Sequence, residues 1–290
     1  MTHTKVQVRQ HEVDVFDYGI VELIDVCRDI STGKIRKKIY SDCWKDESWV
    51  GASREDTLAQ ILGKQVVRVK SSDNGEVNPD FARVGDSKLP TIEMDVSGIY
   101  PDVGEYLTGN PECMCNLIPQ QVNKFIALFV DITASASFSA NRLRKRGESL
   151  VSLIRALEDQ GFLVKLDVGS YSRDYSGSYG LIRYRVKDHA EPIDDDLVSF
   201  LLGTPQAFHG AVFAHADVDQ NWMRYADQDK PLHKDVPRHA VRGITHSFDL
   251  DLLEKLTGTR YDLALRGLHG SDYDLADLKK DISEFYKSKA

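Results

Sequence analysis

The sequence predicts an α/β fold with a three-layer core around a mostly parallel sheet, and three observations carry that reading. Residues 125–130, FIALFV, are apolar without alternation, the pattern of a strand covered on both faces. From about Asn141 to Gln160, Leu143, Leu150, Leu153, Ile154 and Leu157 fall on one helical face, and Gly161 offers a stop. The next segment, FLVKLDV, reads as a second strand. Strand, helix and strand in that order form a right-handed crossover between parallel neighbours.

Residues 1–119 read as a mixed α/β or mainly β region. Within it, Ser53 caps a short helix carrying Leu58, Ile61 and Leu62, with Asp56 in the reciprocal position and Gly63 as the stop. KQVVRVK (64–70) and residues 89–96 are expected strands, whereas Val103–Leu107 is too short to assign. The core is expected over 120–220. After FLVKLDV, the tyrosine-rich SYSRDYSGSYG reads as a flexible connection and LIRYRVK as a strand. DDDLVSFLLG reads as a helix with acidic residues at its favourable end. AFHGAVFAHAD has strand-like composition and leads to Asp217. Residues 221–290 form an irregular and helical extension that ends in an amphipathic helix from about Asp274 to Lys289.

With 37 basic and 45 acidic side chains, the formal charge of −8 argues against a general coat for polyanions but leaves room for a local basic face. No apolar run is long enough to span a bilayer, and the opening residues lack the apolar centre of a secretory signal. The expectation is a cytoplasmic protein with no membrane partner. Four cysteines in 290 residues are no disulfide framework. Cys113 and Cys115 form an isolated C-x-C that joins a metal site only if the fold brings in distant ligands.

The strand at 125–130 runs into DITASAS. Asp131, Thr133 and Ser135 stand at alternate positions beyond its carboxyl end, where open α/β sheets place their sites. A carboxylate and hydroxyls that converge there are hard ligands for Mg2+ or Ca2+. The alternative is that the hydroxyls satisfy exposed backbone groups of a turn. The D-x-T-x-S run resembles the metal-ion-dependent adhesion motif of von Willebrand factor A domains, with threonine in place of the first serine. That resemblance implies a Rossmann-like, doubly wound core and binding of another protein through a metal whose last ligand the partner supplies. It also implies a later threonine and aspartate, for which Thr204 and Asp217 are the best matches, only thirteen positions apart.

SWVGASREDTLAQILGK, VSGIYPDVGEYLTGNPECM and RLRKRGESLVSLIRALEDQGFLVKL together resemble an uncharacterised family of bacteriophages and mobile elements, with no assigned reaction. The expected function is therefore a phage-associated, macromolecule-binding accessory protein that uses a divalent-ion site. One alternative is a single-stranded nucleic-acid-binding accessory protein of phage transcription or replication. It would use Arg142, Arg144 and Arg146, with Arg173, Arg183, Arg185 and nearby tyrosines extending the patch. A second alternative is a virion or assembly component. The glycine spacing of a phosphate loop is absent, so no nucleotide cofactor is expected. H-E-x-x-H and a nucleophile elbow are also absent, which favours binding over catalysis.

Overall fold

The computed structural model describes residues 2–8, 11–35, 53–63, 91–98, 100–118, 125–134, 138–173, 179–189, 191–205, 207–212, 215, 218, 242–243, 250–268 and 275–289. The main sheet comprises β1 (Thr2–Val8), β2 (His11–Gly19), β6 (Phe125–Asp131), β7 (Leu163–Arg173), β8 (Tyr179–Lys187) and β10 (Leu263–Leu265), in the order β1-β2-β8-β7-β6-β10. A two-residue strand, β9 (Arg242–Gly243), pairs with the end of β7. β2 with β8, β6 with β7 and β6 with β10 run parallel. β1 with β2 and β7 with β8 run antiparallel.

Helices cover both faces, which gives the expected three-layer α/β core. One face packs against α1 (Ile20–Ser31), α2 (Arg54–Ile61), α4 (Ala140–Asp159), α5 (Asp195–Gly203) and α7 (Leu275–Lys289). The other packs against α6 (Leu250–Thr257). Ile126, Leu128 and Val130 of β6 enter the first core, and Ala127 and Phe129 enter the second. That double burial is why FIALFV does not alternate.

A separate three-stranded sheet, ordered β3-β5-β4, comprises β3 (Thr91–Asp95), β4 (Tyr100–Pro101) and β5 (Met114–Ile118). Its short helix α3 (Val103–Leu107) is N-capped by Asp102, whose carboxylate accepts the Glu105 N–H at 3.1 Å.

Local chemistry sets the helix ends. The Ser53 hydroxyl accepts the Asp56 N–H at 3.1 Å, and the Asp194 carboxylate accepts the Leu197 N–H at 3.0 Å. Gly161 ends α4 at φ +81°, a conformation that glycine takes without steric cost.

The structure differs from the sequence reading in four places. The sheet crosses both expected boundaries, at 119 and 220, because β1, β2 and β10 join the strands of 125–187. Much of SYSRDYSGSYG is strand: its alternation turns Tyr171 inward, and Tyr171 stacks on Tyr179 at 6.0 Å. Among its described residues, AFHGAVFAHAD supplies no strand. Ala207–Val212 is a π-helical turn, and its small residues Ala207 and Ala211 and the adjacent Val212 are buried in the helical layer. The neighbour of β6 on the side away from β7 is β10, which Asp262 leads in: its N–H donates to the Ala127 carbonyl (2.8 Å) and its carboxylate accepts the Ala127 N–H (3.0 Å). The expected strand KQVVRVK lies outside the described residues.

Candidate functional site at the carboxyl end of β6

Asp131 is the last residue of β6 and is 1% exposed; Thr133, two residues on, is 2% exposed. The Asp131 Oδ1 accepts the Thr133 N–H at 2.8 Å, so the side chain closes the turn on its own backbone. The Ile132 N–H donates to the Gly169 carbonyl (3.0 Å), and the Leu268 N–H donates to the Thr133 carbonyl (3.0 Å). The turn is thus pinned between the strands on either side.

Arg146 fixes the same turn from the helical face. Its side chain is 2% exposed. Nε donates to the Leu202 carbonyl at 3.1 Å, and the terminal nitrogens donate to the carbonyls of Asp131, Ile132 and Thr133, each at 3.4 Å. The close passage of α4 and α5 makes this reach possible. Gly147 faces Gly203 so tightly that a Cβ at Gly147 would lie 2.6 Å from the Gly203 Cα.

The three expected nucleic-acid arginines are therefore not together. Arg142 is exposed and lies 5.7 Å over the Phe138 ring. Arg144 is exposed, donates to Asn141 (2.7 Å) and stands 3.6 Å from Glu148. Arg146 is inside. Its place on the buried stripe, between Leu143 and Leu150 at helical spacing, is a signal that the sequence contained.

Of the expected ion ligands, Asp131 and Thr133 are adjacent in one turn, whereas Ser135 and Asp217 lie outside the described residues. Thr204, the matched later threonine, donates its hydroxyl back to the Phe200 carbonyl at 2.8 Å. Among the described residues, no group of three or more His, Cys, Asp or Glu side chains could hold a metal ion.

A second polar cluster lies on the α6 face. The register carries a row from Asp131 through Gly169 and Arg183 to Asp17. The Arg183 Nε donates to Asp17 at 3.1 Å, with a second bond to the other carboxylate oxygen. Arg183 also donates to Thr259 (3.1 Å) and to the Tyr261 hydroxyl (3.2 Å), and stands 3.5 Å from Asp167. Tyr261 in turn donates to Asp167 Oδ2 at 2.6 Å. The other Asp167 oxygen has no hydrogen-bond partner among the described residues.

Burial pushes the Asp167 carboxyl above its ordinary range, and the Tyr261 bond and the Arg183 charge offset only part of that. Burial and the nearby Asp167 charge push the Tyr261 hydroxyl up as well. For Arg183, burial acts to lower the value, but the bond to Asp17 and the neighbouring Tyr261 and Asp167 hold it above its ordinary range. Arg183 is thus a buried clamp between β8, β2 and the chain leading into β10, and it lies off the surface patch that the sequence suggested. Its signal was a charge inside an apolar strand, LIRYRVK.

His215 is buried with its Nδ1 2.7 Å from the Tyr184 hydroxyl and its ring 4.5 Å from that of Tyr18. Among the described residues, no helix is long and apolar enough to cross a membrane.

No curated protein and no solved structure matches the chain. Residues 5–230 match the family described as "Domain of unknown function (DUF7192)", and the chain belongs to that family.

Proposed function

We propose that the protein binds another macromolecule at the carboxyl end of β6 through a divalent cation, Mg2+ or Ca2+. Asp131 and Thr133 are the ligands within the described turn, Ser135 and Asp217 extend the set, and a carboxylate of the partner fills an open position. The observation that carries this reading is the division of labour at the turn. Arg146 holds the backbone carbonyls of residues 131–133 from one side, and the same turn sets a carboxylate and a hydroxyl, the oxygen types that Mg2+ and Ca2+ take, two residues apart at the end of β6.

One carboxylate and one hydroxyl suit a hard ion in kind but are too few to hold it tightly, because Ca2+ takes about six to eight oxygens. Affinity then depends on the partner's contribution, and ion and partner bind together. We place that partner in a phage setting, on the resemblance that segments within residues 48–166 bear to an uncharacterised bacteriophage and mobile-element family.

Asp131→Asn tests the mechanism without dismantling the turn, because the amide oxygen still accepts the Thr133 N–H while the charge is removed. Calorimetric titration with Mg2+ and Ca2+ should give weak binding to the wild type and none to the variant. Capture of proteins from host lysate should give a band that both EDTA and Asp131→Asn remove. Capture that survives EDTA, or that Asp131→Asn leaves unchanged, rules out the ion.

A further inference from the structure

The small sheet brings a third sulfur to the C-x-C. Cys113 immediately precedes β5, and Cys115, two positions on, is its second residue. Extended pairing continues through Cys113, because the Asp102 N–H donates to its carbonyl at 2.8 Å. Their side chains therefore share one face of the strand. The β3–β5 register sets Met94 directly opposite Cys115 on that face, and the Cys115 thiol meets the Met94 thioether at 3.6 Å. Tyr100 of β4 flanks Cys115 on the other side.

Both thiols are unoxidised and buried, Cys113 at 8% and Cys115 at 4% exposure, whereas Met94 is half-buried and borders solvent. The frame around them is tight. A Cβ at Gly98 would lie 2.6 Å from the Cys115 carbonyl oxygen.

We propose that Cys113, Cys115 and Met94 form a binding site for copper(I). Two thiolates and a thioether are soft donors, and that set selects copper(I) over harder cations. Zinc fits poorly, because structural zinc takes four thiolate or imidazole ligands in a tetrahedron. Among the described residues, no group of three His, Cys, Asp or Glu side chains supplies such a set.

Binding breaks the two S–H bonds and releases both protons to solvent. Two copper–thiolate bonds form, and the Met94 sulfur donates a lone pair as the third ligand. Copper stays monovalent throughout, no electron is transferred, and the site gains one net negative charge. The thiol–thioether contact at 3.6 Å is replaced by the ion. Met94, at the rim, is the side from which the ion enters.

The test is an anaerobic titration of the reduced full chain with copper(I) supplied as its bicinchoninate complex, whose colour is lost as the protein takes the metal. Wild-type protein should remove one equivalent. Cys113→Ser and Cys115→Ser should each abolish uptake, and Met94→Leu, which keeps the side-chain volume, should weaken it about tenfold. A Cys27→Ser/Cys43→Ser double variant should take up copper as the wild type does.

Circular dichroism identifies any variant that fails to fold. Native mass spectrometry of the wild type with silver(I), a surrogate that does not change oxidation state under these conditions, should then show one ion bound per chain. No uptake by the wild type, uptake that follows Cys27 and Cys43, or full affinity in Met94→Leu overturns the proposed site.

Discussion

Replacing Arg146 with Met should destabilise the protein far more than the same change at Arg142 or Arg144. One of the four guanidinium bonds, to the Leu202 carbonyl at 3.1 Å, is well formed, whereas the three to residues 131–133 are stretched to 3.4 Å. A charge-assisted bond contributes about 1.5–3 kcal/mol, and about 0.5 kcal/mol for each stretched one is a fair allowance. The gross contribution is then about 3–4.5 kcal/mol, and recovery of the buried cation's desolvation leaves a net loss of about 2–4 kcal/mol. Met preserves much of the aliphatic stem, so packing loss adds little. In equilibrium urea unfolding, with a slope of about 3 kcal/mol per molar, the midpoint should fall by about 1 M at constant slope. Arg142→Met and Arg144→Met should stay within about 0.5 kcal/mol of the wild type, since both side chains are exposed and the Arg144–Glu148 pair is a surface one. If Arg146→Met unfolds with the wild type, or all three variants behave alike, the guanidinium does not hold the turn.

Two further outcomes follow from the buried network and the helix crossing. The Asp167 carboxyl is raised in the folded state, so the stability it contributes is full below the unfolded value and is lost as pH rises through the folded one. Asp167→Asn should flatten that slope in denaturation curves taken across acid pH and leave the protein at least as stable at pH 7. A loss above about 2 kcal/mol at pH 7 would mean that the ionised pair with Arg183 is net stabilising. Gly147→Ala should cost about 1–3 kcal/mol despite the better helix propensity of alanine, because its Cβ would meet Gly203 backbone at 2.6 and 2.9 Å. Gly203→Ala, whose Cβ would meet nothing nearer than 3.5 Å, should be close to neutral, and equal losses in thermal melts would contradict the packing asymmetry.

The elements read correctly from sequence are those whose signal is local and repeated. α4 has a five-residue apolar stripe, a serine cap and a terminal glycine; β6 has a continuous apolar run that only double burial explains. β10 escaped because three residues carry no period, and its strand character comes from pairing with β6 and from Asp262. The π-helical turn at Ala207–Val212 was read as a strand because alanine and valine beside aromatic residues fit either state over a short run, and contact with α2 and α5 decides it.

Within the candidate site, the order Asp131, Thr133 was legible because one strand end and one turn hold both. Arg146 was misassigned because four basic residues within the five positions 142–146 invite a surface reading. The helical phase that places it on the Leu143–Leu150 stripe outweighs composition. Asp17, Asp167, Arg183 and Tyr261 are far apart in sequence, and only strand register brings them together.

The two proposed ion sites are distinguished by chemical hardness. The turn after β6 offers oxygen, which holds Mg2+ or Ca2+ and has little affinity for copper(I). The small sheet offers three sulfurs, which hold copper(I) and leave Mg2+ in water. EDTA should therefore abolish partner capture without changing copper(I) uptake, and a copper(I)-selective chelator should do the reverse. Asp131→Asn should follow the first pattern and Cys115→Ser the second. A variant at either site that disturbed both readouts would mean that the sheets are energetically coupled, and the two ion sites could then not be treated as independent.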